Sequence, residues 1–300
     1  MTAHDQRGGR AMTGAPEAFG RRLDAAMRAR GPFCAGIDPH PGLLEAWGLS
    51  DDVAGLERFA RTAVEALGET VALLKPQSAF FERHGSRGVA VLERVLADAK
   101  GAGALVLLDV KRGDIGSTMQ AYADAYCDPA SPLCADAVTV SPYLGFESLR
   151  PVLDTAAAHG NGVFVLALTS NPEGPEVQHA RGADGRTVAG TVLDHVRAAN
   201  AAALAAGDAL GSVGVVVGAT TGGSGEDLAV GGPLLAPGIG AQGATVADLA
   251  TVFGAALPQV VPSASREVLS AGPDPRALRA AAAKTIEDVR DLLFRASAGA

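Results

Sequence analysis

The sequence contains few lysines and few aromatic residues. Only 13 of its 300 residues are aromatic (9 Phe, 3 Tyr and 1 Trp), so the hydrophobic core has to be built mainly from Ala, Val and Leu. Of the 25 Lys and Arg residues, four are lysines, namely Lys75, Lys100, Lys111 and Lys284. Because arginine supplies nearly every other positive charge, each lysine calls for its own explanation.

Cysteine, positive charge and long apolar runs are also scarce, and each absence excludes a class of protein. The three cysteines, Cys34, Cys127 and Cys134, cannot form a disulfide framework and lack CxxC spacing, which predicts a reduced, cytoplasmic protein. The net charge of −8 argues against a nucleic-acid partner. No run of about 18 uncharged apolar residues occurs, and the N-terminus has no apolar signal segment, so we expect no membrane association.

The composition indicates a folded protein with a large hydrophobic core. Hydrophobic residues make up 48% of the 300 positions, which is enough for a large core. The 38 glycines and 17 prolines indicate many short turns. Residues 1–15 are polar and glycine-rich and are predicted to be a disordered tail, whereas residues 16–297 are predicted to form one catalytic domain.

Short apolar runs alternate with helical patterns along this domain. The runs are typical of parallel strands buried on both faces and lie at 33–37, 71–74, 104–108, 137–140, 163–168, 213–217, 233–236 and 259–262. The helical patterns lie at 17–30, 52–67, 86–100, 117–126, 145–158, 186–206, 245–256 and 274–296. This alternation predicts an α/β fold, a single-domain (β/α)8 TIM barrel. An open doubly wound sheet is the alternative, weakened because no G-x-G-x-x-G follows the first strand.

Charged residues stand at the ends of three neighbouring predicted strands. Asp38 ends the first, Lys75 the second, and Asp109 and Lys111 end the third at i, i+2 spacing, which places both on one face of a regular strand. A lysine flanked by carboxylates stays protonated, so it suits proton donation better than Schiff-base chemistry. The alternative is a salt-bridge network that only ties strands together, but burying four charges without a functional return is costly.

The segment after the seventh predicted strand has the composition of a phosphate-binding loop. Its glycines, from Pro237 to Gly243, can present backbone N–H groups to an anion, and a helix is predicted to begin near Thr245. Gln242 could add an amide, and Arg266 from the next strand end could bind a phosphate bidentately. A barrel usually binds phosphate after strands seven and eight, which agrees with this position. A plain glycine-rich turn is the alternative.

The sequence argues against a resident metal. None of the six histidines is paired at ligand spacing on one element. Asp38, Asp109 and Asp114 could hold Mg²⁺ with a substrate phosphate, but Lys75 and Lys111 would compete with the cation. We therefore expect no metal.

One run of residues resembles a known family. The segment from Asp109 to Thr118, DVKRGDIGST, is similar to the D-x-K-x-x-D-I-x-x-T signature of the orotidine 5′-phosphate decarboxylase family, and looks like its longer bacterial subfamily. Further matching segments cover nearly the whole chain: FCAGID at 33–38, LKPQS at 74–78, TSNPE at 169–173 and APGIGAQG at 236–243.

The resemblance implies a cofactor-free decarboxylation of orotidine 5′-phosphate to UMP with release of CO₂, the last step of de novo UMP biosynthesis. By motif position Lys111 would donate the proton to C6, and Asp109 would face the departing carboxylate. Lys75 and Asp38 would hold the ribose hydroxyls, and Lys75 would also belong to the catalytic charge network.

The same resemblance implies a homodimer with shared active sites. Asp114 and Thr118 would reach into the partner's site, which makes Asp114 a further catalytic residue, and Ser170 would bond the pyrimidine. Many relatives place a glycine directly before the phosphate-binding arginine, where this chain has Ser265. The residues assigned to the phosphate and to a closing lid are Pro237, Gln242 and Arg266.

Two other functions remain open at this point. Sugar-phosphate decarboxylases and aldolase-like synthases share the D-x-K-x-x-D framework and use Mg²⁺ at the carboxylates. Lys75-Pro-Gln and Gly-Ala-Gln242 favour the orotidine enzyme over them. An inactive barrel that binds a nucleotide as a regulator would be expected to lack one of the four charged residues, and all four are present.

Overall fold

Eight parallel strands close into a barrel in the order β1 to β8. The computed structural model describes residues 16–221, 225–240 and 243–298 of the chain, so the predicted tail at 1–15 lies outside the described residues. The strands are β1 Cys34–Ile37, β2 Leu73–Pro76, β3 Leu105–Arg112, β4 Ala137–Val140, β5 Gly162–Leu168, β6 Val213–Val217, β7 Leu234–Pro237 and β8 Val260–Ala264. The predicted single-domain (β/α)8 fold is confirmed.

Helices surround the strands and also occupy several connections. They are α1 Phe19–Arg30, α2 Pro41–Ala46, α3 Val53–Leu67, α4 Ser78–Glu82, α5 Gly85–Gly101, α6 Gly116–Cys127, α7 Arg150–His159, α8 Gly174–Gln178, α9 Val188–Ala205, α10 Val246–Phe253, α11 Arg266–Leu269 and α12 Pro275–Ala298. The short helices α2, α4, α8 and α11 follow strand ends and were not predicted, because four to six residues are too few to show helical periodicity. Within the described ranges, none of these helices combines the length and apolar content needed to cross a membrane.

The connection between β6 and β7 contains no helix among its described residues, 218–221 and 225–233. Side chains of α9 hold this connection instead. The Asn200 amide donates to the carbonyls of Val213 and Val230, at 2.7 and 3.1 Å. Arg197 donates to the backbone oxygens of Ala229 and Asp227, both at 3.1 Å. The bonds to Val230, Ala229 and Asp227 satisfy backbone groups of the connection, and the bond to Val213 attaches α9 to the first residue of β6.

The first helix closes the N-terminal end of the barrel. Phe19 and Leu23 of α1 are fully buried and belong to the cluster that fills the barrel interior, with Leu73, Leu107 and Phe164 from the strands. The rings of Phe19 and Phe164 meet edge to face, with centroids 5.9 Å apart. Because this end is filled, a ligand can approach the barrel axis only from the carboxyl ends of the strands.

Candidate active site

A cavity of about 290 Å³ lies at the carboxyl ends of the strands. Each of the eight strands, or the residue directly after it, contributes to the cavity lining, including Thr139 of β4 and Val216 of β6. The predicted site residues that line it are Asp38, Lys75, Asp109, Lys111, Ser170, Pro237 and Arg266.

Two lysines and two aspartates alternate across the floor of this cavity. Lys75 Nζ lies 3.3 Å from Asp109 Oδ2 and 4.0 Å from Asp38 Oδ1. Lys111 Nζ lies 2.7 Å from each oxygen of the same Asp109 carboxylate. Asp109 therefore stands between two ammonium groups, and Lys75 stands between two carboxylates. The structure thus brings together the four charged residues that the strand ends predicted.

This alternation fixes the charges of the two most buried groups. Burial alone would raise the pKa of Asp109, but the ammonium groups of Lys75 and Lys111 outweigh it and lower that pKa to about 2. Burial would lower the pKa of Lys75, yet the carboxylates of Asp38 and Asp109 raise it above its ordinary value. Both side chains therefore stay charged at neutral pH.

Asp109 and Lys111 do not meet through regular strand alternation. The β3–β4 register pairs Leu108 with Val138 and then Arg112 with Val140, so three residues of β3 lie opposite one residue of β4. This is a bulge, and within it Lys111 has a left-handed backbone with φ of +47°, which a non-glycine residue rarely adopts. The i, i+2 spacing in the sequence correctly predicted that Asp109 and Lys111 lie together. It did not predict the bulge, which gives Lys111 its left-handed backbone.

The residue of β4 opposite the bulge, Thr139, was missed by the sequence reasoning. It is buried, lines the cavity and donates a hydrogen bond to Asp109 Oδ1 at 2.7 Å. One signal could have identified it, since Thr139 is the single polar residue in the apolar run 137–140. Gln77, Ser263 and Ser265 also line the cavity and were not selected as site residues.

Two polar atoms of the cavity lining have no hydrogen-bond partner among the described residues. They are Asp38 Oδ1 and Ser265 Oγ, and both are shielded from solvent. Buried polar atoms are normally paired, so an unpaired acceptor and an unpaired hydroxyl in one cavity indicate contacts reserved for a ligand.

The described residues of the glycine-rich segment after β7 lie at the cavity with Arg266. Gly238 and Gly240 have positive φ values of 109° and 73°, which glycine adopts without strain, and both flank Ile239 at the cavity edge. The predicted helix begins close to Thr245, but its first turn already carries an acid: Asp248 accepts from the Thr245 N–H at 2.7 Å. An anion would therefore depend on this segment and Arg266 more than on this helix terminus. Gln242 lies outside the described residues.

The structure does not bring Asp114 and Thr118 into this chain's own cavity. The Asp114 carboxylate accepts from the Ile115 N–H at 2.8 Å, and Thr118 is exposed in the first turn of α6. Three large apolar side chains are exposed in this region. Ile115, next to Asp114, is 62% exposed, and Tyr143 and Leu144, which follow β4, are 77% and 52% exposed. Both predicted partner-site residues thus lie on a surface with unusual apolar exposure.

The carboxylates do not assemble into a metal-binding group within the part of the chain that the structure describes. There, no three His, Cys, Asp or Glu side chains come close enough to share an ion. Asp38 and Asp109 are each paired with Lys75, and Asp114 lies apart from them. The candidate metal ligands at the barrel mouth are thus the carboxylates of Asp38 and Asp109, and ammonium groups already balance their charge.

A barrel closed at one end, with a charge-balanced and largely buried lysine–aspartate network at the other, defines a (β/α)8-barrel enzyme that acts on a small polar molecule. The comparison with known proteins narrows this class. The model of the orotidine 5′-phosphate decarboxylase / HUMPS family matches residues 31–281, and the chain belongs to that family.

Close relatives share nearly the whole chain. Orotidine 5′-phosphate decarboxylase of Salinispora arenicola is 66% identical over 278 residues, which are 92% of this chain and 99% of the relative. That of Streptomyces coelicolor is 62% identical over 275 residues, 91% of this chain and 98% of the relative. A crystal structure from Streptomyces avermitilis, of a protein assigned as the same enzyme, has 62% identity and a TM-score of 0.91, and covers 96% of this chain and 100% of that one.

The two lysines of the site should differ in their effect on stability. The side chain of Lys75 is 9% exposed and that of Lys111 is 44% exposed. Replacing Lys75 by Met leaves the buried Asp109 and the partly buried Asp38 without their shared cation, which should lower the free energy of unfolding by about 3–5 kcal/mol. Lys111→Met leaves Asp109 paired with Lys75 and should cost less than about 1 kcal/mol. Urea unfolding at pH 7 measures both, and an equal or reversed order would contradict the assignment of Lys75 as the buried centre of the network.

Proposed function

We propose that this protein decarboxylates orotidine 5′-phosphate to UMP, releasing CO₂ without a cofactor, as the last step of UMP biosynthesis. The observation that carries the proposal is the alternating Asp38–Lys75–Asp109–Lys111 array at the barrel mouth. The family of the chain and relatives at 62–66% identity that carry this enzyme's name support the same reaction.

Lys111 is the proposed proton donor. When the bond between C6 and the carboxylate breaks, its electron pair stays on C6 and CO₂ leaves. A fixed positive charge beside C6 stabilises that developing carbanion, and a proton from Lys111 Nζ then forms the new C6–H bond. Lys111 is the more exposed lysine of the array, so its amine can regain a proton from solvent.

Asp109 and Lys75 are proposed to hold Lys111 and the substrate in place. Asp109 grips the Lys111 ammonium with both oxygens and would face the substrate carboxylate, which loses its charge as CO₂ departs. Asp38 Oδ1, which has no hydrogen-bond partner among the described residues, accepts a ribose hydroxyl in this scheme, with Lys75 beside it. In this scheme Asp38 and Lys75 bind the ribose, and Asp109 and Lys111 carry out the decarboxylation.

Pro237, Gln242 and Arg266 are assigned to the phosphate and to a closing lid. The Arg266 side chain lines the cavity and forms no ion pair among the described residues, which leaves its guanidinium available to an anion. Binding energy from a phosphate remote from C6 can close the loop and orient the pyrimidine, to which Ser170 is assigned.

A homodimer with shared active sites is part of the proposal. Asp114 and Thr118 lie outside their own cavity, on a surface that exposes Ile115, Tyr143 and Leu144. A second copy that covers these apolar side chains would carry Asp114 and Thr118 toward the partner's substrate. Asp114 would then act as a catalytic residue of the neighbouring site.

We also place the enzyme in the cytoplasm, acting on a small molecule without nucleic-acid or membrane partners. Cys34, Cys127 and Cys134 are all free and buried, and burial raises the pKa of the Cys34 and Cys127 thiols to about 12. Such thiols are inert and suit a reducing compartment.

Purified protein mixed with orotidine 5′-phosphate should show the loss of absorbance that accompanies conversion to UMP, and EDTA should leave the rate unchanged. Lys111→Ala should lower kcat by about 10⁴-fold or more, since both the fixed charge and the proton are lost. Lys284→Ala, on the outer helix α12, is the matched control and should retain full activity.

No turnover by folded wild-type protein would refute the proposed reaction. Loss of activity with EDTA would favour a metal-dependent sugar-phosphate reaction instead. Substantial activity in Lys111→Ala would remove Lys111 from the proton-donor role and leave the reaction itself standing.

Arg266→Ala should raise KM for orotidine 5′-phosphate by about 10- to 100-fold through loss of a charge-assisted contact, with a smaller effect on kcat. Steady-state kinetics measure both parameters. Arg58→Ala, an exposed arginine of α3, serves as the control and should leave KM unchanged. An unchanged KM in Arg266→Ala would show that the phosphate contact has been misassigned.

Mixing two inactive variants tests the shared site. If Asp114 acts in the partner's cavity, a heterodimer of Lys111→Ala and Asp114→Ala chains has one site with both lesions and one intact site. Random reassembly of equal amounts should therefore restore about a quarter of the wild-type sites. Recovery is measured as activity after reversible dissociation and mixing. No recovery despite heterodimer formation would place Asp114 in its own chain's site or outside any site.

A further inference from the structure

The bulge in β3 depends on a single side chain of β4. Between the pairs Leu108–Val138 and Arg112–Val140, Thr139 alone faces three residues of the bulge. Its hydroxyl accepts from the N–H groups of Val110 and Lys111, at 3.0 and 2.9 Å. In a regular strand pair these two N–H groups would donate to backbone carbonyls of the neighbouring strand. In the bulge the Thr139 hydroxyl accepts from them instead.

The same hydroxyl also reaches the catalytic carboxylate. Thr139 Oγ1 donates its proton to Asp109 Oδ1 at 2.7 Å. A hydroxyl offers one donor and two acceptor sites, and all three are in use here. Because the residue is 1% exposed, water cannot easily replace any of these bonds.

This arrangement holds a backbone that would otherwise relax. Lys111 has φ of +47°, a conformation that is unfavourable for a non-glycine residue and persists only where neighbouring contacts impose it. The bond to the Lys111 N–H stabilises that conformation, and the bond to Asp109 orients the carboxylate that grips Lys111 Nζ. The Thr139 hydroxyl therefore fixes both the backbone of Lys111 and the carboxylate of Asp109.

We infer that Thr139 is a positioning residue for the proposed decarboxylation, setting the backbone of Lys111 and the carboxylate of Asp109 so that the ammonium points at C6. The inference rests on the proposed function. It assigns to Thr139 no contact with the reacting atoms and no proton transfer of its own.

Three variants separate this role from a general structural one. Thr139→Val keeps the shape but leaves two N–H groups and one carboxylate oxygen without their partner, and should lower kcat by about 10- to 100-fold, as expected when a catalytic group is displaced by about 1 Å. KM and the affinity for UMP should change less than about twofold, since Thr139 supports the chemical step. Thr139→Ser restores the hydroxyl and should recover most of kcat. Thr285→Val removes a buried hydroxyl that bonds Ala281 O within α12, and should leave kcat unchanged.

The assays are run well below the unfolding temperature of each variant, so a loss of folded protein cannot mimic a loss of kcat. Wild-type kcat retained in Thr139→Val would overturn the inference, as would a loss that Thr139→Ser does not recover. A crystal structure of Thr139→Val supplies a readout that needs no activity: Lys111 should leave the left-handed region and its Nζ should move away from Asp109. An unchanged bulge in Thr139→Val would refute the positioning role, whether or not the wild-type protein turns over orotidine 5′-phosphate. Failure of the wild-type protein to turn over this substrate would refute only the proposed function.

Discussion

The mutual neutralisation of Lys75 and its two carboxylates is the interaction on which the site depends. An ammonium group cannot remain charged at the closed floor of a barrel without partners, because the loss of hydration outweighs any single weak contact. Asp38 and Asp109 provide those partners from the strands on either side. Lys75 in turn keeps the buried Asp109 ionised, and an ionised Asp109 is what holds Lys111. Each charge is stable only because the next one is present.

The barrel supplies this array with its geometry. Parallel strands place all their carboxyl ends at one mouth, so residues far apart in sequence, such as Asp38 and Asp109, become neighbours. Closure of the opposite end by Phe19 directs the ligand to that mouth. The β3 bulge then departs from regular pairing around Lys111, and the hydroxyl of Thr139 replaces the backbone acceptors that the departure removes.

Much of the fold was predictable because buried parallel strands produce continuous apolar runs. The runs at 137–140 and 213–217 coincide with β4 and β6, and the other strands differ by a few residues at their ends. Prediction failed where the determining contacts are local or tertiary. The short helix α8 lies between the predicted strand at 163–168 and the predicted helix at 186–206, and the Asp248 carboxylate at the start of α10 weakens the expected role of that terminus in anion binding.

The sequence by itself determined the barrel, the family and the four charged residues at neighbouring strand ends, since each follows from the order of residue types along one chain. Only the tertiary structure decided how those charges pair, that Lys111 adopts a left-handed backbone, and that Thr139 supports it. The physical reason is that these features depend on register between strands. Thr139 and Asp109 are 30 residues apart, and their contact arises from β3–β4 pairing, which side-chain periodicity within either strand does not encode.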